Sequence, residues 1–381
     1  MKKKILIVYA SYGSGHKSVA EYVYEYFKEH SNDLEIKIID IMEYGNLIAK
    51  LNVKMFNLCF KFQNSFSSTI GYELFDSKIA TSPYKEIVRL LFKSDLTTDI
   101  LTYKPDVLIA THFFGGIVMG KINKKYKLNT KIITIITDYA SHAIWLQNHK
   151  RESAIVVSNE IVGRELLKFG VPAEKIFPFG IPLSSKFKKV DANTSKIKFK
   201  YNIKNHNLTF LFFGGGSLGS SYTYGYLKEI LKLKLNINII FVSGKNVKLQ
   251  NRCNNYIKRE NIKNVTVLGF TKDISNLLNI ADVVITKPGG LSVTEALEMK
   301  TPMILIPGNG GQENHNAKFV TKNHFGLRVR NARQLAKTVK KLTENKKIIH
   351  EMYQNLKNYE ENTSVQKLFN LVLEMENLKW N

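Results

Sequence analysis

Short apolar segments alternate with longer amphipathic segments along most of the chain. The apolar runs are residues 5–10, 35–40, 106–110, 132–137 and 154–157 in the first half, and residues 208–213, 237–242, 264–268, 282–286 and 303–306 in the second. Segments of helical period occur at residues 16–29, 225–234, 247–258, 291–299 and 364–378. Short apolar strands that alternate with helices form parallel sheets covered on both faces. The pattern therefore predicts an α/β protein of two Rossmann-like, doubly wound domains that face each other across a cleft.

One stretch between the two arrays breaks the alternation. Residues 181–194 contain a proline, two serines and three closely spaced lysines, which is typical of a linker. We therefore predict an N-terminal domain at 1–182, a linker at 183–195 and a C-terminal domain at 196–360. Residues 361–381 should form a terminal helix that packs back toward the N-terminal domain.

Composition narrows the class of protein. With 381 residues, 44% of them hydrophobic, the chain is long and apolar enough for two or three domains, which excludes a disordered or collagen-like protein. The net charge of +24 favours a polyanionic partner, and the two cysteines exclude a disulfide scaffold. No run approaches the ~18–20 apolar residues of a spanning helix. We therefore expect a cytoplasmic protein, peripheral on the inner face of the plasma membrane.

Residues 42–95 differ from the rest of the first half, because phenylalanines and lysines are interleaved there. One interpretation is a helical insertion packed on its own domain. The other is an interfacial surface whose aromatic side chains enter a membrane while the lysines meet anionic lipid headgroups. No nucleic-acid-binding motif accompanies the charge, so nucleic acid is not an expected partner.

A glycine turn separates the first strand from the first helix. It reads Ser11-Tyr12-Gly13-Ser14-Gly15-His16-Lys17-Ser18, which matches neither a Walker A loop nor the dinucleotide fingerprint G-x-G-x-x-G. Backbone amides in such a turn can face an anion or a ligand oxygen. His16 is a candidate general base because an imidazole titrates near pH 7, although a lone histidine is more often structural.

The second half has three further glycine-rich turns, each after a predicted strand. They are residues 213–219, 286–296 and 306–316. In the second of these, the amides and the hydroxyl of Ser292 can bind a diphosphate, and Glu295 can accept both hydroxyls of a ribose or simply cap its helix. The third turn is followed by a run of amide and carboxylate side chains, which can bind sugar hydroxyls. The alternative is that it is a plain surface loop.

Four segments together resemble one enzyme family. They are S-Y-G-S-G-H-K-S-V-A at 11–20, T-D-Y-A-S-H-A-I-W at 137–145, K-P-G-G-L-S-V-T-E-A at 287–296 and P-G-x-x-x-Q-E-x-x-N at 307–316. The chain is similar to the glycosyltransferases that add a hexose to diacylglycerol, namely monogalactosyldiacylglycerol synthase and the processive diacylglycerol β-glucosyltransferases. This resemblance implies the two-domain GT-B fold. One departure is His142-Ala143, where the family usually has His-Pro.

The resemblance implies a UDP-hexose donor site in the C-terminal domain. Glu295 matches the residue that holds the ribose, and Gln312 and Glu313 match residues that touch the hexose. The backbone of Phe270 and Thr271 would receive the uracil. The residues implied for the diphosphate are Gly216, Ser217, Gly289, Gly290, Leu291 and Ser292.

The acceptor side is implied in the N-terminal domain. His16 matches the histidine near the acceptor hydroxyl, and Asp138 is the competing catalytic residue. The other acceptor-side residues by resemblance are Gly15, His142 and Trp145.

The chemistry expected from these residues is a single inverting displacement. The chain contains no Asp-x-Asp sequence, so we expect no metal and no other cofactor, with amides and basic side chains meeting the diphosphate charge. The expected partners are a UDP-hexose, diacylglycerol and anionic membrane lipids. Two alternatives stay open: transfer of N-acetylglucosamine to an undecaprenyl-linked peptidoglycan precursor, and a non-catalytic membrane protein that senses nucleotide sugars.

Overall fold

Two compact units make up the chain in the computed structural model. Residues 1–184, 309–312 and 362–381 belong to the first unit, and residues 185–308 and 313–361 to the second. The structure describes residues 2–11, 13–46, 92, 94–190, 194–215, 222–308 and 310–375. Most of the predicted membrane-facing segment (42–95) and the predicted donor residues Gly216 and Ser217 lie outside these described residues.

The first unit is a parallel six-stranded sheet in the order β2-β1-β3-β4-β5-β6. Its strands are β1 (Lys3–Tyr9), β2 (Leu34–Asp40), β3 (Val107–Ala110), β4 (Lys131–Ile135), β5 (Ala154–Val156) and β6 (Ile176–Phe177). Its described helices are α1 (Ser14–His30), α2 (Ser94–Tyr103), α3 (Phe113–Tyr126), α4 (Glu160–Lys168) and the last helix of the chain, Ser364–Glu374.

The second unit is also a parallel six-stranded sheet, in the order β12-β11-β10-β7-β8-β9. Its strands are β7 (Thr209–Phe213), β8 (Asn238–Val242), β9 (Val265–Leu268), β10 (Val283–Thr286), β11 (Met303–Leu305) and β12 (Gly326–Arg328). Its described helices are α5 (Thr194–Lys200), α6 (Thr223–Leu231), α7 (Val247–Arg259), α8 (Ile274–Ile280), α9 (Gly290–Glu298), α10 (Gln312–Lys322), α11 (Ala332–Glu344) and α12 (Lys347–Lys357). Helix Ser364–Glu374 is therefore α13. The prediction of two Rossmann-like domains is confirmed.

The structure has elements that the pattern did not predict. They are helices α2, α3, α4, α8, α10, α11 and α12 and the short strands β6 and β12, which have two and three residues. Helix α5 begins at Thr194, inside the predicted linker, because Ile197 is buried and anchors an otherwise lysine-rich segment to the second unit. Ile197 and Phe199, two apolar residues separated by one lysine, do not give a helical period.

Helix α1 packs on the first unit through a single apolar face. In α1 the buried side chains are Val19, Ala20, Val23 and Phe27. The terminal helix α13 covers the same part of the first unit, where the ring of Phe369 lies 5.1 Å from that of Phe27 between centroids. The Nζ of Lys3 donates a 2.8 Å hydrogen bond to the carbonyl of Val372 in α13.

A buried polar cluster lies under helix α3 in the first unit. The Thr134 hydroxyl donates to Oε1 of Glu152 (2.8 Å), and Nδ2 of Asn148 donates to the carbonyl of Gly116 (2.7 Å). A Cβ at Gly116 would lie 2.6 Å from Glu152 Oε1, and one at Gly120 would lie 2.3 Å from Asn148 Oδ1. Glycine at both positions of α3 is therefore what admits these side chains.

Burial sets the protonation state of this cluster. Desolvation raises the pKa of Glu152 to about 7, against the opposing effects of the Thr134 hydrogen bond and the Lys175 charge. Oε2 of the carboxyl has no hydrogen-bond partner among the described residues. The neutral acid is consequently the form that the fold prefers.

This preference predicts how stability changes with pH. From about pH 4.5 to about pH 7 the folded state holds a proton that the unfolded state loses, so stability falls as pH rises and is constant above that window. Glu152→Gln keeps the shape without the titration. We expect its melting temperature, relative to wild type, to be higher at pH 8 than at pH 5, by an amount worth at most about 3 kcal/mol.

Thermal unfolding of both proteins at the two pH values measures this difference. The exposed Glu160→Gln controls for the loss of one acidic group from the same unit. A melting-temperature difference between Glu152→Gln and wild type that is equal at both pH values would contradict a neutral Glu152.

Candidate active site

The carboxyl ends of three adjacent strands converge in the first unit. Strand β1 lies beside β3, and β3 lies beside β4, all parallel. In the sheet, β2 lies on one side of β1 and β3 lies on the other. The order of the strands therefore reverses between β1 and β3, which makes this edge a topological switch point. Open parallel sheets bind ligands at such points. His16, Thr111 and Thr137 all follow these strand ends.

His16 is held by backbone and hydroxyl groups from both neighbouring strands. Its Nδ1 lies 2.7 Å from the carbonyl oxygen of Thr111 and 3.1 Å from the hydroxyl oxygen of Thr137. The Thr111 hydroxyl donates in return to the carbonyl of His16 (2.9 Å). Because a carbonyl can only accept, Nδ1 carries the proton, and Nε2 is the basic nitrogen of the neutral ring.

The ring of His16 is neutral at physiological pH. Desolvation lowers its pKa to about 4, and the hydrogen bond to the Thr111 carbonyl opposes that change only in part. The residue is half-buried, so part of its surface stays open to an incoming group. The arrangement supplies an uncharged imidazole with an oriented acceptor nitrogen.

The sequence pattern missed His112, which packs directly on His16. Their ring centroids are 4.8 Å apart, edge to face, and His112 is buried. Nδ1 of His112 accepts from the amide of Phe114 (3.3 Å) and thereby caps α3. Burial lowers the pKa of His112 well below 6.5, and protonation of His16 at low pH would lower it further. The usable signal was the Thr111-His112 pair directly after a buried strand.

Trp145 is the third ring of this cluster. Its centroid lies 6.3 Å from that of His16 and 6.1 Å from that of His112, and the side chain is only 2% exposed. Its indole Nε1 is buried and has no acceptor among the residues that the structure describes. A buried donor without a partner costs free energy, and a ligand oxygen at this point would remove that cost.

The other predicted acceptor-side residues have backbone roles nearby. Gly15 lies in the first turn of α1. His142 begins the 3₁₀ helix Ala143–Leu146, where its Nδ1 accepts from the Ile144 amide (3.1 Å). The carbonyl of Asp138 accepts from the Ser158 hydroxyl (2.8 Å), and Asp138 is 9% exposed. The side chain that contacts Nδ1 of His16 is that of Thr137, the residue before Asp138.

In the second unit, the first backbone amides of helix α9 have no capping side chain among the described residues. Its N-cap is Gly289, which makes no side-chain cap hydrogen bond, and the position of a Cβ there is open space. The Asn316 side chain, fully buried, fixes the preceding turn by donating to the carbonyl of Pro288 (2.9 Å). The amides of Gly290, Leu291 and Ser292 thus form an uncapped helix N-terminus, which suits an anion.

Lys287 stands one turn before this helix and was missed by the sequence pattern. Burial lowers the pKa of Lys287, and the Glu313 carboxylate opposes this change. Its Nζ lies 5.3 Å from the ring centroid of Tyr222, whose hydroxyl donates to the carbonyl of Pro307 (3.0 Å). A half-buried cation next to an uncapped helix N-terminus reinforces the positive potential there.

The remaining predicted donor residues follow strand ends of the same sheet. Glu295 is buried in α9, one turn after the uncapped amides. Phe270 and Thr271 follow β9, where Phe270 is 62% exposed and the Thr271 hydroxyl accepts from the Asp273 amide (3.0 Å). Gln312 opens α10 in the stretch grouped with the first unit, and Glu313 follows in the second.

Two family models match the chain. The model described as monogalactosyldiacylglycerol (MGDG) synthase matches residues 16–183. The model of the glycosyltransferase family 28 C-terminal domain matches residues 210–368. The two matches correspond to the two units and include the turns that carry His16 and Gly289.

Curated relatives match over nearly the whole chain. The processive diacylglycerol beta-glucosyltransferase of Bacillus pumilus (strain SAFR-032) is 26% identical over 376 residues, which are 99% of this chain and 96% of that protein. The enzyme of the same name from Bacillus cereus (strain B4264) is 29% identical and covers 91% and 87% of the two chains. Among solved structures, MurG of Acinetobacter baumannii shares the fold, with a TM-score of 0.64, 15% identity and coverage of 98% and 100%.

Proposed function

We propose that this chain, a glycosyltransferase of the family of monogalactosyldiacylglycerol synthases and related diacylglycerol glycosyltransferases, transfers a hexose from UDP-glucose or UDP-galactose to diacylglycerol. The product would be a β-hexosyl-diacylglycerol, which further rounds can extend. The observation that carries the proposal is the neutral His16, whose Nδ1 is bound to the Thr111 carbonyl and whose ring packs beside His112 and Trp145.

The reaction is a single displacement at the anomeric carbon. The free hydroxyl oxygen of diacylglycerol forms the new bond to that carbon, the bond from the carbon to the phosphate oxygen breaks, and UDP leaves with the electron pair. The hydroxyl proton passes to Nε2 of His16, which is the unprotonated nitrogen of the ring. Attack opposite the leaving group inverts the configuration without a covalent intermediate.

Groups already present in the second unit can meet the charge of the leaving nucleotide. The uncapped amides at Gly290 and Ser292 and the cation of Lys287 are suited to the diphosphate, and Glu295 to the ribose hydroxyls. We propose that this set acts without a metal ion.

The acceptor lipid places the enzyme at a membrane surface. Within the described residues, no helix is both long and apolar enough to cross a bilayer. We propose a peripheral association with the inner face of the plasma membrane.

The function is tested by identifying products. The full chain is incubated with liposomes that contain diacylglycerol or an undecaprenyl-linked peptidoglycan precursor. Each is given UDP-glucose, UDP-galactose or UDP-N-acetylglucosamine, with and without EDTA, and the lipid products are identified by mass. We expect hexosyl-diacylglycerol from one of the two UDP-hexoses, with turnover unchanged by EDTA. Transfer only from UDP-N-acetylglucosamine to an undecaprenyl-linked precursor would contradict the acceptor, and loss of turnover restored by Mg²⁺ or Mn²⁺ would contradict the metal-free leaving group.

The donor site is tested at Glu295. In Glu295→Gln one charge-assisted pair of hydrogen bonds to the ribose is weakened, so we expect UDP affinity to fall by about 1.5–3 kcal/mol, with the fold retained. Calorimetric titration with UDP measures the change. Glu298→Gln, three residues later in the same helix, is the matched control. Equal UDP affinity in Glu295→Gln and wild type would remove Glu295 from the site.

The base is tested by comparing His16→Ala with Asp138→Asn. At saturating donor and acceptor, loss of the base should lower kcat about 10²–10⁴-fold with UDP affinity near that of wild type. We expect this result for His16→Ala and a smaller loss for Asp138→Asn. Because the neutral ring is the active form and its pKa is about 4, kcat should be flat with respect to His16 from pH 6 to pH 8 and fall only toward pH 4.

His30→Ala, at the exposed end of α1, controls for removal of an imidazole from the same helix. Wild-type turnover in His16→Ala, together with a large loss in Asp138→Asn, would assign the role of base to Asp138.

A further inference from the structure

The most exposed large apolar side chain among the described residues is that of Phe199, at 89% of its full accessible area. It lies on the short helix α5, whose inward side chain, Ile197, is buried. Two residues along a helix turn the side chain by about 200°, so Phe199 necessarily points away from the second unit. The fold fixes Ile197, and with it the exposure of Phe199.

Lysines surround this phenylalanine in the sequence. Residues 185–207 contain seven lysines and one acidic residue. Lys196 and Lys200 are exposed on α5 beside Phe199. Lys200 pairs with Asp273 at 2.7 Å, which fixes one end of the helix against the start of α8. A single exposed phenylalanine in a basic helix is an arrangement that suits an anionic membrane interface.

The basic charge also converges in space from three separate segments. Asp282, at the start of β10, feels the positive charges of Lys198 from α5, Lys189 from the preceding segment and Lys346 from the start of α12. The Nζ of Lys189 lies 4.9 Å from the ring centroid of Tyr353, also in α12. Desolvation raises the pKa of Asp282, and the three lysines and the Thr209 amide oppose this change. One carboxyl thus faces three basic side chains.

A second exposed apolar side chain is attached to the helix that packs against α5. Val190 is 47% exposed, and both its amide and its carbonyl are bound to the side chain of Asn279 at the end of α8, at 3.2 and 2.7 Å. Helix α8 also packs against α5. The backbone under Val190 and that under Phe199 are therefore both fastened to α8, so the two apolar tips are presented by a rigid base.

We propose that this surface, comprising Lys189, Val190, Lys196, Lys198 and Phe199, docks the second unit onto a bilayer that carries anionic lipid headgroups. The lysines would attract the headgroups, and Phe199 and Val190 would enter the boundary between headgroups and acyl chains. The inference rests on the proposed function in one respect: an acceptor such as diacylglycerol resides in a bilayer. It concerns a surface of the second unit that is separate in sequence from residues 42–95.

Vesicle sedimentation tests the surface independently of catalysis. The full chain is mixed with vesicles of phosphatidylcholine alone, or with 30% phosphatidylglycerol, containing neither diacylglycerol nor nucleotide sugar. For Lys196→Glu/Phe199→Ala we expect about a tenfold weaker partition onto the anionic vesicles, because charge attraction and apolar insertion are both reduced. The controls Val247→Ala and Lys258→Glu make similar changes at exposed positions of α7 and should stay within about twofold of wild type.

Fluorescence gives a second readout that does not depend on loss of binding. Tryptophan emission of Phe199→Trp should shift to the blue on anionic vesicles and be quenched by lipids brominated in their acyl chains, relative to wild type. Val247→Trp, with the probe on α7, should show neither change. Both exposed substitutions leave the buried core unaltered, and melting temperatures confirm that each variant is folded.

Two results would overturn the proposal: equal partition of Lys196→Glu/Phe199→Ala and wild type, or an unquenched Phe199→Trp probe on vesicles that bind the protein. Retention of wild type on an RNA column that is lost in Lys196→Glu/Phe199→Ala, with unchanged vesicle partition, would assign the surface to nucleic acid and overturn it as well. Because the vesicles contain no substrate, this assay tests membrane binding by the surface and does not depend on whether the protein transfers a hexose. Transfer to diacylglycerol dispersed in neutral detergent should be equal in Lys196→Glu/Phe199→Ala and wild type.

Discussion

Both sheets are fully parallel, and this constraint determines where every functional group of the molecule can lie. A parallel strand releases its following loop at the same edge as its neighbours. His16 thereby meets Thr111, 95 residues away, and Thr137, 121 residues away, because β1, β3 and β4 are adjacent. The hydrogen bond from His16 Nδ1 to the Thr111 carbonyl is available only because β3 ends level with β1. In an antiparallel arrangement the ends of β1 and β3 would lie at opposite edges.

Glycine at the start of a helix has the same consequence in both units. Gly13 before α1 and Gly289 before α9 are N-caps without a capping side chain, and each leaves open space where a Cβ would be. A serine or aspartate there would satisfy one of the first amides and stabilise the helix by roughly a few tenths of a kcal/mol. The fold forgoes that stabilisation at both helices, and under the proposed function the substrates supply the missing acceptors.

The sequence predicted well what depends on long buried segments and poorly what depends on tertiary placement. Strands such as β1 and β10 are apolar runs, so their positions and the glycine turns after them could be inferred. His112 was missed because its signal in the sequence, a Thr-His pair directly after a buried strand, is shared with ordinary helix caps, and only the pairing of β3 with β1 brings it to His16. Glu152 was missed because its burial depends on glycines in another helix. The exposure of Phe199 could not be predicted either, because a phenylalanine is usually buried and only the burial of Ile197 shows that Phe199 points outward.

The environment of His16 bears on the order of two events in the proposed reaction: proton transfer from the acceptor hydroxyl and departure of the diphosphate. A pKa of about 4 keeps the ring unprotonated, but it makes the ring a weaker base than an imidazole titrating near pH 7. The Thr111 carbonyl stabilises a positive charge on the ring through Nδ1, but it offsets the effect of burial only in part.

Proton capture by such a ring becomes favourable only after the attacking hydroxyl has begun to bond to the sugar and has grown more acidic. Under the proposed reaction, a weakly basic ring favours late proton transfer, after charge has begun to develop on the leaving diphosphate. Electrostatic assistance to that leaving group would come from the uncapped start of α9 and the half-buried cation of Lys287. Under the proposed function, the neutral ring of His16 in the first unit accepts the proton, and the positive potential at the start of α9 in the second unit stabilises the leaving group.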